Sequence, residues 1–148
     1  IPKNLPNGSY VYLQNIVTDL LLGMKRYDLI ESFCKSIIQK GYLPGLITLN
    51  PILLDNVISS LNFKYEKDLM VCFNINQVGF NVFPNKQDVE TFVYKKTVYR
   101  KMGMSILSSG GVGDIQKSLD YIKRLPLDYV VYGSSKISNI QINYNLLK

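Results

Sequence analysis

The chain has 148 residues, of which 47% are hydrophobic, and a formal net charge of +6, which suits a single domain over 1–148 with one core. It contains no histidine and only two cysteines, Cys34 and Cys72, which excludes a histidine base and a zinc ligand set. Both cysteines lie in apolar runs, which indicates buried free thiols in a reducing, cytoplasmic compartment. The apolar run at 20–22 is too short to span a membrane.

The basic residues occur as scattered pairs and do not form one stripe. They lie on or beside helical patterns, which predicts a solvated outer face and argues against nucleic-acid binding. The pairs are Lys25 with Arg26, Lys95 with Lys96, Arg100 with Lys101, and Lys123 with Arg124.

Strand patterns and helix patterns alternate strictly along the chain. Asn50 and Asn85 are predicted to be helix N-caps, and Gly41 is predicted to end a helix. The polar residues after the first strand predict a turn. Strands are predicted at 10–13, 45–49, 69–73, 104–107 and 128–132, and helices at 28–40, at 51–61, from residue 86, after residue 111 and after residue 136.

This alternation predicts an α/β protein with parallel strands and right-handed crossovers. The alternatives are an open doubly wound sheet and a closed (β/α)₈ TIM barrel. A doubly wound sheet carries its glycine-rich loop after the first strand, whereas here such loops follow the last two strands, which favours the barrel. In such a barrel, the five predicted strands of this chain would be the fourth to the eighth of the eight strands. We therefore expect an incomplete barrel whose N-terminal strands are missing from this chain, and either a companion segment or self-association.

Two loops carry small residues and backbone N–H groups at the ends of neighbouring strands. Such groups bind anions, so these loops predict a site for the phosphate of a small molecule, with Lys136 as a charge at its rim. The first loop is Ser108, Ser109, Gly110 and Gly111, and the second is Gly133, Ser134, Ser135 and Lys136. Asparagines after the earlier strands are predicted to face the substrate, namely Asn15, Asn50, Asn74 and Asn76.

The segment GSSKISNIQIN, which begins at Gly133, resembles the segment after the last barrel strand of the aldo-keto reductases. In that family these positions surround the adenosine phosphate of NADP, and the preceding GMSILSSGG is similar to the family's seventh strand. The resemblance implies an NADP-dependent oxidoreductase barrel without a metal. The matching positions here are Gly133, Ser134, Ser135, Ile140 and Asn143.

The chain also departs from that family. Asn139 stands where the family usually has a basic residue, and Gln14 or Asn15 stands where it has the catalytic histidine. An amide cannot titrate, which speaks against redox catalysis of the usual kind. The same loops also fit a phosphosugar isomerase, lyase or aldolase barrel, or a non-catalytic barrel that serves as a binding or assembly module.

Overall fold

The computed structural model describes residues 4–60, 63–111 and 113–147. In this part of the chain, strands and helices alternate and the strands form one parallel sheet, which confirms the predicted α/β class. The strands are β1 (Tyr10–Leu13), β2 (Leu43–Thr48), β3 (Met70–Asn74), β4 (Arg100–Met104) and β5 (Tyr129–Val130). The helices are α1 (Asn15–Gly23), α2 (Tyr27–Gln39), α3 (Pro51–Ser60), α4 (Lys86–Tyr94), α5 (Ile115–Lys123) and α6 (Ile137–Leu147).

The five strands lie side by side in chain order, β1-β2-β3-β4-β5, and every neighbouring pair is parallel. A doubly wound sheet reverses its order at a switch point, and no such reversal occurs among the described strands. Sequential order is the arrangement of strands in an α/β barrel. The carboxyl ends of all five strands therefore share one edge of the sheet.

One face of the sheet carries the hydrophobic core. Residues paired between parallel strands lie on the same face, and Leu46 pairs with Val71 on the face that the helices cover. Phe73, further along β3 on that face, is fully buried and meets Phe92 of α4 edge to face, with 5.2 Å between ring centroids. This aromatic pair joins the central strand to its helix.

We call the opposite side the helix-free face and define it by Tyr10, Tyr12, Met70, Met102 and Tyr129. None of these residues belongs to the core that the helices share. Tyr12 lies across β2, since a Cβ on Gly45 would come within 2.3 Å of its ring. Its hydroxyl is 3.1 Å from the Met70 sulfur and 3.7 Å from that of Met102, three strands away, which requires the sheet to curl toward this face. Burial raises the pKa of Tyr12 to about 12.

The prediction of a turn after the first strand is wrong, because residues Asn15–Gly23 form helix α1. Two polar side chains in this helix have local or tertiary partners. Thr18 is fully buried and its hydroxyl donates to the Gln14 carbonyl at 3.1 Å. The Asp19 carboxylate accepts bonds from the end of β2. Residues that favour turns in isolation are thus held in a helix by contacts with the sheet.

The fourth strand lies earlier than predicted, at Arg100–Met104 instead of 104–107. Because this strand begins with the charged residues Arg100 and Lys101, its hydropathy pattern does not indicate a buried strand. Lys101 is nonetheless 3% exposed, so the prediction of a solvated outer face is wrong for this residue. Its ammonium donates to the carbonyls of Phe92 and Val93 at 3.0 Å each, which caps the end of α4. Burial lowers the pKa of Lys101.

The other predicted helix signals are confirmed. The Asn50 side chain accepts a bond from Leu53 N at 3.0 Å, and the Asn85 side chain accepts one from Asp88 N at 2.9 Å. Gly41 ends α2 with a φ of +80°, a conformation that favours glycine.

Both cysteines are buried and free, as predicted. Burial raises the pKa of each thiol to about 12. Among the residues that the structure describes, no helix has the length and apolar character needed to cross a membrane.

Candidate functional site

The loops after β4 and β5 meet at one cavity of about 690 Å³ on the carboxyl edge of the sheet, which we call the rim cavity. They meet because β4 and β5 are neighbours, with Gly103 paired to Val130 and Val131 N donating to the Gly103 carbonyl at 2.9 Å. The start of α5 and one side of α6 complete the wall. The lining residues are Met104, Ser105, Ile106, Leu107, Ser109, Gly110, Ile115, Val131, Tyr132, Gly133, Ser134, Asn139, Ile142 and Asn143.

The loop after β4 has an unusual backbone. Ser105, Ser108 and Ser109 have φ values of +56°, +49° and +55°, a region that side chains rarely adopt, and Gly110 follows at +87°. Three turn bonds of 2.9 Å hold this shape, among them Ser108 N to the Ser105 carbonyl and Gly110 N to the Leu107 carbonyl. Such strain costs on the order of 1 kcal/mol per residue and is concentrated at functional sites in proteins. The loop is therefore a candidate for a binding function.

The loop after β5 leads directly into α6. An added Cβ on Gly133 would meet nothing within 4 Å, so this position opens onto free space. The Ser134 hydroxyl accepts a bond from Lys136 N at 3.2 Å and closes the turn before the helix. Within α6, the first turn contains no acidic residue. The N-terminal end of this helix, which follows the cavity-lining residues Gly133 and Ser134, therefore carries a partial positive charge without a carboxylate of its own.

The N-terminus of α5 differs in this respect. The Asp114 carboxylate caps it by accepting a bond from Lys117 N at 3.1 Å, and this backbone bond lowers the pKa of Asp114. A negative charge already occupies the position that an anion would take there. The electrostatics of the two helix ends thus favour α6 over α5 as the anion-binding end.

The rest of the rim cavity is largely apolar. Ile106, Leu107 and Val131 contribute to the wall from the sheet side, and Ile142 contributes from α6. Asn143, one residue further on, is 4% exposed. The cavity thus combines a polar end near Ser134 with an apolar body, which is typical of sites for small organic ligands.

The chain matches no family model, no curated protein and no solved structure.

Among the described residues that line the rim cavity, Tyr132 is the only one with a titratable side chain, and its hydroxyl donates to the Ile140 carbonyl at 3.3 Å. None of these described lining residues carries a charge. Within the described residues, no group of three histidine, cysteine or acidic side chains could hold a metal ion. The described lining residues offer hydroxyl, amide and backbone groups that can bind and orient a ligand.

The structure brings some of the predicted phosphate-site residues together. Five of them line the rim cavity, namely Ser109, Gly110, Gly133, Ser134 and Asn143, whereas Ser108, Gly111, Ser135 and Lys136 flank it. Ser108 is 4% exposed, and its hydroxyl has no hydrogen-bond partner among the described residues.

The four predicted substrate-facing asparagines do not line the rim cavity. Asn15 begins α1, and Asn50 caps α3. Asn74 donates to the Asn81 carbonyl at 2.8 Å, and Asn76 is fully buried and exchanges two bonds of 2.8 Å with the backbone of Phe80. The last two thus fold the loop after β3.

Sequence reasoning missed several lining residues, including Ser105 and Tyr132. It noted Asn139 only as a departure from a family pattern. Asn139, Ile142 and Asn143 all line the rim cavity, and their i, i+3, i+4 spacing places them on one side of a helix. This spacing was the signal that could have assigned them to the site together.

Proposed function

We propose that the chain binds a phosphate-bearing small molecule of the NADP type in the rim cavity, as the C-terminal part of an aldo-keto-reductase-like barrel. The observation that carries this proposal is the convergence of two loops, from neighbouring parallel strands, on one cavity without an acidic side chain. Phosphate sites of α/β barrels lie at this edge, in the loops after the last two strands.

The phosphate would lie at the N-terminal end of α6. Gly133 leaves open space beside the backbone, and Ser134 lines the cavity. At this end Lys136 N is bonded to the Ser134 hydroxyl, and Asn139 N and Ile140 N are bonded to the Lys136 carbonyl. The N–H groups of Ile137 and Ser138, at the start of the helix, are therefore the ones that would donate to phosphate oxygens. Lys136 and Ser135 flank this end, so an ammonium and a second hydroxyl are close in sequence.

The remainder of the ligand would lie along the apolar wall. A volume of about 690 Å³ falls in the range of small-molecule sites. Asn139 and Asn143 add amide groups that can both donate and accept hydrogen bonds. An apolar wall with two amides beside a phosphate-binding end suits the base and ribose of a nucleotide better than a small sugar phosphate alone.

The residues of the rim cavity also bear on which reaction could occur there. Among the described lining residues Tyr132 is the only titratable one, so these residues alone do not support hydride transfer with proton donation. That observation favours the alternative of a non-catalytic barrel that serves as a binding or assembly module. A phosphosugar isomerase, lyase or aldolase barrel would use the same phosphate end with a smaller ligand. Cys34 and Cys72, both free and buried, support placing the chain in a reducing, cytoplasmic compartment.

We expect NADPH to raise the melting temperature of the chain, with NADH and glucose 6-phosphate having smaller effects. A ligand at a hundred times its dissociation constant stabilises the folded state by about 2.7 kcal/mol. Differential scanning calorimetry with each ligand in turn measures this effect. Stabilisation by the sugar phosphate alone would favour the phosphosugar barrel. The absence of any stabilisation would contradict ligand binding and favour the assembly module.

We propose that the helix-free face is the inner surface of the barrel, which either the missing N-terminal half or a second copy of the chain covers. Sequential strand order, a curled sheet and helices on one side support this interpretation. Tyr129 is 47% exposed on the last strand, and β1 and β5 each have one unpaired edge among the described strands. Such a surface favours association.

We therefore expect the isolated chain to self-associate at micromolar concentration in sedimentation velocity. Met102→Lys places an ammonium on the helix-free face and is expected to shift the chain toward monomer. Ile16→Lys is the matched control, because Ile16 is 73% exposed on α1 and its substitution leaves that face intact. A chain that sediments as a monomer throughout would contradict this part of the proposal.

A further inference from the structure

A second cavity, of about 600 Å³, lies on the same edge of the sheet but at its other end. Its walls come from α1, from the turn between β2 and α3, from the first turn of α3, and from the loop after β3. Its lining shares no residue with that of the rim cavity. The two cavities are thus separate sites at the carboxyl ends of different strands, and a ligand of the second cavity would bind independently of the proposed phosphate site.

A single carboxylate, that of Asp19, lies in this second cavity. One of its oxygens accepts a bond from the Thr48 hydroxyl at 2.5 Å, and the other accepts one from Leu49 N at 2.9 Å. Thr48 is fully buried, so this donor is fixed by the end of β2. A carboxylate has about four acceptor positions, so two of those on Asp19 stay open.

Asp19 has no cationic partner in the described part of the chain. The ion pairs found there involve Asp28, Asp55, Glu90 and Asp114. Asp19 therefore carries a negative charge whose two protein donors are both neutral. In an apolar setting such a charge attracts a cation more strongly than it would in water.

The surroundings of the carboxylate are apolar and partly open to solvent. Leu49, Leu53 and Phe83 line the cavity and are 40%, 39% and 54% exposed. Leu22 and Val82 lie deeper and are buried. Three large apolar side chains exposed around one fixed carboxylate form a surface that an apolar group with a positive end would complement in both shape and charge.

We propose that the second cavity binds a primary amine carried on an apolar body. The ammonium would donate to the open positions of the Asp19 carboxylate, and the apolar body would cover Leu49, Leu53 and Phe83. The rival explanation is that Asp19 only links α1 to β2 through Thr48 and Leu49. The two explanations differ in what they predict for ligands of different charge.

Three probes of similar shape separate these explanations: phenethylamine, 2-phenylethanol and phenylacetate. Binding to the purified chain is measured by the chemical-shift changes of backbone amides in NMR titrations. We expect phenethylamine to bind at least tenfold more tightly than 2-phenylethanol, with phenylacetate the weakest. Equal affinity for all three probes, or no binding of the amine, would overturn the proposal.

Asp19→Asn keeps the side-chain shape, and we expect it to lower amine affinity to that of the alcohol. Since this variant also alters the links to Thr48 and Leu49, a second variant leaves Asp19 unchanged. Gly23 lines the cavity and an added Cβ there meets nothing within 4 Å, so Gly23→Lys can place an ammonium beside the carboxylate. We expect Gly23→Lys to abolish the amine preference and Gly23→Gln to retain it. A preference that persists in Gly23→Lys would overturn the proposal.

Discussion

Replacing Gly133 with aspartate is expected to abolish the stabilisation of the chain by NADPH. The new carboxylate would project into the open space beside the N-terminal end of α6, where the phosphate is proposed to bind. Two unit charges 4 Å apart repel by about 4 kcal/mol at an effective dielectric constant of 20. We therefore expect the dissociation constant to rise at least a hundredfold, which calorimetric titration measures directly.

Gly133→Asn is the matched control, because asparagine has the same shape as aspartate and no charge. An added Cβ at this position meets nothing within 4 Å, and Gly133 does not adopt a φ that disfavours side chains. Both variants should therefore fold as stably as the parent chain. We expect the asparagine variant to retain most of its affinity. Equal losses in the two variants would indicate crowding instead of charge, and an unchanged affinity in Gly133→Asp would contradict the proposed phosphate position.

The sequence alone was sufficient to predict that the two loops meet. Parallel strands joined by helices have their carboxyl ends on one edge, so loops after consecutive neighbouring strands must lie side by side. Gly133 and Ser134 are thus found next to Ser109 and Gly110, as expected. What made this predictable was topology, which depends on the order of elements and not on their precise bounds.

The details of the site were less predictable, because they depend on contacts between distant residues. The asparagines after β2 and β3 were expected to face a ligand. Asn50 caps a helix and also lines the second cavity, and Asn76 is held by the backbone of Phe80. A short polar side chain at the end of a strand can bind a ligand or its own loop equally well, and sequence spacing does not decide between them.

Tertiary contacts also explain the two errors in the predicted elements. Helix α1 has exposed apolar residues, such as Ile16 and Leu20, and its polar residues Thr18 and Asp19 are held by partners. Strand β4 contains Lys101, whose charge is accommodated by backbone carbonyls of α4. In both places the polar pattern misleads because the partner of the polar group is remote in sequence or belongs to the backbone.

Because only one face of the sheet packs against the helices, we expect residues on the two faces to contribute very differently to the stability of the chain. Core residues between sheet and helices, such as Phe73, are fully buried, whereas on the helix-free face Met70 is buried, Met102 is half-buried and Tyr129 is 47% exposed. Met102 on β4 pairs with Cys72 on β3, so these two residues lie on the same face of the sheet. Phe73, the next residue on β3, therefore lies on the opposite face. Large-to-small substitutions at these two positions therefore compare the two faces directly.

We expect Phe73→Ala to lower the free energy of unfolding by about 3 to 5 kcal/mol, because it removes a fully buried ring and its contact with Phe92. This is a large part of the stability of a domain of this size. Met102→Ala is the matched comparison and is expected to cost about 1 kcal/mol or less in the monomer, because Met102 is only half-buried on the helix-free face. Urea denaturation at two protein concentrations measures both values. If Met102→Ala costs as much as Phe73→Ala at the lower concentration, the helix-free face is covered within the monomer and the open-barrel interpretation is wrong. A cost that grows with protein concentration identifies this face as the one that associates.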